Sequence, residues 1–360
     1  MTKTNRLTWV DSAKGISIIL VVMLYVAHTV GKATDDVGFL HYIIGFATPF
    51  RMPEFFLLSG LFLSLVIGRD WKSYLDRRFV HYFYFYALWA TIIITLKYAV
   101  FSAHPSHALS LIISSIMEPY SLLWFIYILA FFSLVAKIAH SLKIPHWAML
   151  AGAAILQILP VDTPLYAFNQ FSEYLIYFYV GYVFAPNIFK IVEYFASRPL
   201  LIVGAVALWA SINGALVFMP QFSATPTEFA MGFASLPVLH LALALAGALM
   251  VCIIASLFVR YKFMNWLSLI GKHSIVIFLA FSIPMALSRE ILLRLGLISD
   301  IGILSIIVMV ISIVSPLILY WIVQKTGFGK FLFERPAWAH ISGTKGSLHP
   351  KIKVKTSPAE

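Results

Sequence analysis

The chain has 360 residues, of which 61% are hydrophobic and only 11% charged, with a net charge of +11 and a single cysteine. Soluble domains carry about 25% charged residues, so a soluble globular fold is excluded and the chain falls in the membrane class. The lone Cys252 excludes an intramolecular disulfide and a cysteine-rich metal site, and the positive charge reads as positive-inside bias rather than as a surface for nucleic acid.

Ten segments approach the roughly 20 apolar residues that a crossing helix needs. In chain order they are 13–32, 45–68, 79–101, 121–142, 147–161, 167–188, 199–219, 236–259, 266–288 and 302–324. The first lacks a small-residue cleavage site and runs on into a polytopic pattern, so it is a retained span and not a signal peptide. The apolar stretch 108–117 is too short to cross and is expected to be re-entrant or interfacial. With the N-terminus in the cytoplasm, the loops on that side hold ten Lys and Arg, among them Arg69, Lys72, Arg77 and Arg78, against four on the other side. That imbalance sets the orientation, and an even number of spans returns both termini to the cytoplasm. The expected architecture is all-α: one polytopic membrane domain over 9–324, then a basic tail over 325–360 whose end is mobile beside anionic lipid headgroups.

Ionisable residues are costly in a span and point to function. In the first span Lys14 and Tyr25 are eleven residues apart, about three helical turns, and His28 follows Tyr25 by three. One face therefore carries a cation, a phenol and an imidazole, with Lys14 and His28 about 21 Å apart along the axis. Asp11 is placed to pair with Lys14 from the turn before. The second span opens Pro49-Phe50-Arg51-Met52-Pro53-Glu54, and Glu54 is the nearest candidate partner for Arg51. The prolines loosen the helix and free backbone groups to line a cavity. Ser59-Gly60 reads as a close helix-packing point. Gln157, Gln170, Glu173 and Asn213 are the remaining intramembrane polar candidates, for lining the same cavity or joining helices. His104 and His107 fall in a loop. Neither a metal-ligand spacing nor a phosphate-binding glycine loop is present in the sequence.

Trp9-Val10-Asp11-Ser12-Ala13-Lys14-Gly15, then Phe50-Arg51-Met52-Pro53-Glu54-Phe55-Phe56 with Ser59-Gly60-Leu61, resemble the membrane acyltransferase-3 family. Arg77-Arg78, Leu123-Trp124-Phe125 and Gly271-Lys272-His273-Ser274 fit the same resemblance, which runs from Trp9 to about Val323. It implies a ten-span enzyme of the bacterial cytoplasmic membrane that moves an acetyl or similar acyl group from cytoplasmic acyl-CoA to a hydroxyl of a glycan or lipid-linked sugar outside. Two positions depart from the pattern. Tyr25 stands where the family places a histidine, and Phe281 where it often places another after Gly-Lys-X-Ser.

On this resemblance His28, one turn beyond Tyr25, is the candidate general base. Arg51 is the candidate oxyanion donor, or positions Glu54, and Tyr25 is a hydrogen-bond donor. Lys14, Arg77 and Arg78 are the candidate contacts for the CoA phosphates. No metal is expected. A transporter or flippase for an acylated or sugar compound, and a family member that has lost catalysis and acts as a scaffold, are the alternatives.

Overall fold

The computed structural model describes residues 3–102, 105–159 and 161–348. His104 and the tail lysines Lys351, Lys353 and Lys355 lie outside them. The described chain is helical apart from one two-stranded hairpin. Its helices are α1 (Lys3–Thr34), α2 (Phe39–Ala47), α3 (Arg51–Gly60), α4 (Ser64–Ile67), α5 (Trp71–Leu75) and α6 (His81–Ile94). These are followed by α7 (Pro105–Ser114), α8 (Trp124–Ser141), α9 (His146–Ile158), α10 (Tyr166–Val183), α11 (Ala185–Ala196) and α12 (Pro199–Phe218). The series ends with α13 (Pro237–Phe258), α14 (Asn265–Lys272), α15 (Ser274–Ala280), α16 (Ser282–Leu295) and α17 (Ile301–Thr326). Between α12 and α13, β1 (Ser223–Ala224) pairs antiparallel with β2 (Phe229–Ala230), with Ser223 opposite Ala230.

Among the described residues, six stretches are long and apolar enough to cross a membrane: Thr8–Thr34, Trp71–Tyr98, Ser121–Ser141, Pro199–Phe218, Pro237–Phe258 and Ile301–Thr326. Two bent pairs raise the number to eight. Tyr166–Val183 turns into Ala185–Ala196 at 73°, and Lys262–Lys272 into Ser274–Ala280 at 56°. The segments expected at 45–68 and 147–161 are shorter than a span. The first does not form one helix: α2 ends at Ala47, α3 covers ten residues, and a turn separates it from α4. Pro49 marks the break, because it lacks an N–H to continue the helical hydrogen-bond ladder, although Thr48 before it keeps helical φ and ψ. Pro53 falls in the first turn of α3, where its missing N–H costs nothing. At 1.5 Å per residue α3 is about 15 Å long, half of a bilayer core.

The chain divides into two compact units, one from the N-terminus to Ser64 together with Ile144–Ile322, the other Leu65–Lys143 with the segment from Val323 on. In the first unit a buried cluster of Trp9, Val10, Ala13, Leu57, Leu61, Val192, Ala248 and Cys252 joins α1, α3, α11 and α13. Glycines set its closest helix crossings. A side chain on Gly271 of α14 would strike the backbone carbonyl of Asp11, and one on Gly15 of α1 the carbonyl of Leu267. Gly60 and Gly181 meet Phe178 and Leu57 carbonyls in the same reciprocal way where α3 crosses α10. Ser59-Gly60 is thus the packing point its sequence suggested, with the Ser59 hydroxyl spent on the Phe55 carbonyl.

Gly271→Ala should therefore lower the thermal unfolding midpoint of the purified protein, at a cost of about 1–3 kcal/mol from backbone overpacking. Gly204→Ala, where a Cβ meets open space in mid-helix, should leave it unchanged or raise it. Equal midpoints for the two variants would contradict this account of the crossing.

In the second unit Asp70 caps α5, accepting from the Ser73 backbone N–H at 2.9 Å. The Ser73 backbone and side chain together hold the Asp70 carboxyl below the usual carboxylate range. Asp76, buried at the following turn, pairs with Arg335 at 2.7 Å and accepts from the Ile341 N–H at 2.8 Å. His340 Nδ1 lies 2.8 Å from Arg335 Nη2 and 3.0 Å from Asp76 Oδ2. This cluster ties the segment after α17 onto the turn that carries Arg77 and Arg78.

Candidate active site

The stripe predicted on α1 exists. At its start Lys14 sits 5.9 Å from the centre of the Phe62 ring, a cation–π contact. Asp11 is within electrostatic reach of Lys14 and also of Lys272, which the Gly15–Gly271 crossing brings alongside. Two motifs whose crossing glycines, Gly15 and Gly271, lie 256 residues apart in the sequence are therefore one structural feature.

At the other end of α1 the His28 ring lies 5.4 Å from Phe229, the first residue of β2. Its Nε2 is buried with no hydrogen-bond partner among the described residues. Arg51, at the start of α3, is only 8% exposed, and its Nε and Nη1 are likewise buried and unpartnered. The guanidinium is close enough to interact electrostatically with His28, Tyr25 and Tyr174. His28, Tyr25 and Arg51 thus lie within electrostatic reach of one another inside the first unit, with the imidazole half-buried against Phe229.

Glu54 does not complete this group in the expected way. It is fully buried, yet makes no ion pair with Arg51. Its Oε1 instead accepts from the Ser17 hydroxyl at 2.7 Å, while Oε2 has no partner. Spacing of three would allow a pair within α3, but the Ser17 hydroxyl, on the same face of α1 as Lys14, is the group the carboxylate meets. Ser17 lies three residues after Lys14, so helical spacing alone could have added it to the stripe.

Tyr25 and Phe281, the two departures from the family pattern, face each other with ring centroids 5.7 Å apart. Phe281 is fully buried. The two positions where the resemblance leads one to expect histidines are therefore neighbours, and both carry aromatic rings; His28 lies one turn further along α1 than Tyr25.

The remaining polar candidates separate. Gln157 and Glu173 do line one cavity, but Asn213 does not; its amide donates to the Phe46 carbonyl at 2.9 Å and ties α12 to α2. Gln170 is not among the cavity's lining residues. Arg77 and Arg78 belong to the second unit, where Arg77 is exposed and Arg78 donates to the Tyr82 hydroxyl at 3.1 Å. His107 is exposed, 5.0 Å from the Tyr98 ring.

Sequence reasoning passed over three residues near the site. His41 is fully buried, takes the Gly38 N–H on Nδ1 at 3.2 Å and reaches the Pro226 carbonyl with Nε2 at 3.4 Å, so it pins the hairpin loop over the end of α1. Tyr174 shares a hydrogen bond with Glu173 and stands beside Arg51. His240 lines the cavity. No local spacing relates His41 to Pro226 or Tyr174 to Arg51.

A protein-family model described as an acyltransferase domain, acyltransferase-3, matches residues 7–324, nearly the whole chain. No curated protein and no solved structure gives a significant match. The matched region contains both glycine crossings and every residue of the His28–Arg51–Tyr25 group, and the chain belongs to the membrane acyltransferase-3 family.

Proposed function

We propose that the chain is an O-acyltransferase that moves an acetyl or similar acyl group from acyl-CoA to a hydroxyl of a glycan or lipid-linked sugar. The observation that carries this reading is the buried, unpartnered Nε2 of His28 beside a buried guanidinium with two unpartnered N–H groups. A free imidazole nitrogen can accept a proton, and unpaired N–H donors in a low-dielectric site can stabilise an oxyanion.

The chemistry follows from those two groups. His28 takes the proton of the acceptor hydroxyl as its oxygen attacks the thioester carbonyl. The carbonyl oxygen becomes an oxyanion, held by Arg51. Collapse breaks the C–S bond, the new ester leaves with the acceptor, and the CoA sulfur takes the proton back from the imidazolium. Tyr25, beside Arg51, donates a hydrogen bond to the reacting oxygens. Glu54, fixed by Ser17, sits one turn along α3 from Arg51 and supports that end of the helix.

In this reading the chain crosses the bacterial cytoplasmic membrane ten times with both termini in the cytoplasm. The short α3 and α9 then count as crossings within a locally thinned or protein-lined region. Lys14 meets the CoA phosphates on the cytoplasmic side, and the thioester arm passes along the α1 face toward His28 at the outer side.

Purified protein should bind radiolabelled acetyl-CoA saturably and pass the label to a hydroxyl acceptor in membranes. Failure to bind acetyl-CoA would remove the enzyme reading and leave transport. Binding without any transfer would favour the scaffold reading, which the Tyr25–Phe281 pair would then explain.

A further inference from the structure

A cavity of about 330 Å³ opens between α9, α10 and the start of α13, roofed by the loop that follows β2. That volume lies in the ~300–1,000 Å³ range of small-molecule sites. Its polar lining is Gln157, Ser172, Glu173, Ser235 and His240, set among apolar side chains such as Val161 and Met231. Two of these polar groups are unspent. Ser172 is 1% exposed, and neither its hydroxyl nor Gln157 Oε1 has a hydrogen-bond partner among the described residues. Buried polar atoms are rarely left so without a ligand to meet them. Asn169, also on the wall, is different: its amide is occupied by Thr163 and serves the loop before α10.

We infer that this cavity is the acceptor site and that it takes an uncharged sugar ring; the inference rests on the acyltransferase reading and names its acceptor class. Three features support it. First, no Lys or Arg is among its described lining residues, and Glu173 supplies a carboxyl. An anionic sugar or a phosphate would be buried there with nothing to neutralise it, at high cost. Second, the unspent groups are acceptors and a hydroxyl, which sugar hydroxyls satisfy without bringing charge. His240 adds to them: Nδ1–H donating to the Ala234 carbonyl at 3.2 Å leaves Nε2 as an acceptor. Third, the cavity adjoins the catalytic group by two routes. Glu173 is hydrogen-bonded to Tyr174, which stands beside Arg51. The segment that follows β2, whose Phe229 packs on His28, supplies Met231 and Ser235 to the cavity wall.

The test uses the full chain in detergent, with methyl β-glucopyranoside and methyl β-glucuronide as probes and ligand-observed NMR as the readout. The neutral glycoside should bind saturably. Gln157→Leu and, separately, Ser172→Ala should each weaken it about tenfold, the cost of a lost hydrogen bond. The glucuronide should bind about tenfold more weakly or worse. Acetyl-CoA binding, measured on the same preparations, reports that each variant is folded. Equal binding of the two glycosides, or unchanged glucoside binding in both variants while acetyl-CoA still binds, overturns the inference and leaves the acyltransferase reading standing. Variant-sensitive glucoside binding in a protein that does not bind acetyl-CoA does the reverse.

Discussion

His28→Ala should cut acyl transfer by about 10²–10⁴-fold, the range removed with a general base, in a protein that still folds and inserts. The expectation of a folded variant comes from the site itself. His28 Nε2 has no partner to lose, and the ring is only partly buried, against Phe229. Truncation therefore removes one ring contact and leaves no partner stranded. Rate measured in membranes, with the unfolding midpoint of the purified variant as control, checks both halves. A midpoint that collapses along with activity would make His28 a packing residue. Near-normal activity would remove it from the chemistry.

Arg51→Gln should likewise separate activity from stability. As an oxyanion donor its loss should lower kcat by about 10²–10³-fold, as for one such donor elsewhere. As a buried cation with Nε and Nη1 unpartnered and no ion pair to Glu54, it is held at a cost to the fold. Neutralising it should leave the unfolding midpoint unchanged or raise it. A structural ion pair predicts the reverse, a loss of about 3–5 kcal/mol when one partner goes. Stability that drops while kcat holds would assign Arg51 to structure.

Much of this arrangement is legible along the chain. Helical spacing alone puts Lys14, Tyr25 and His28 on one face, because α1 is a single uninterrupted helix over that stretch. The small residues at 15, 60 and 271 mark close crossings because only glycine lets a backbone carbonyl approach there. What fails is pairing across the fold. Arg51 and Glu54 are neighbours in sequence, yet Glu54 finds Ser17 across 37 positions. Tyr25 and Phe281 look like two separate departures until packing sets them ring to ring. Hydropathy also reads 45–68 as one span, although Pro49 and the turn after Gly60 break it, since windowed apolarity does not register breaks in the hydrogen-bond ladder. The division into two units is equally invisible, because Leu65–Lys143 are as apolar as what surrounds them and join the segment after Val323.

The most direct test of the central claim is transfer from radiolabelled acetyl-CoA, measured side by side in membranes holding the unaltered chain, His28→Ala and Tyr25→Phe at matched protein levels. If His28 is the base, label reaches the acceptor with the unaltered chain and, at a reduced rate, with Tyr25→Phe, and not with His28→Ala. Full transfer by His28→Ala with none by Tyr25→Phe would contradict the account and move the chemistry to Tyr25.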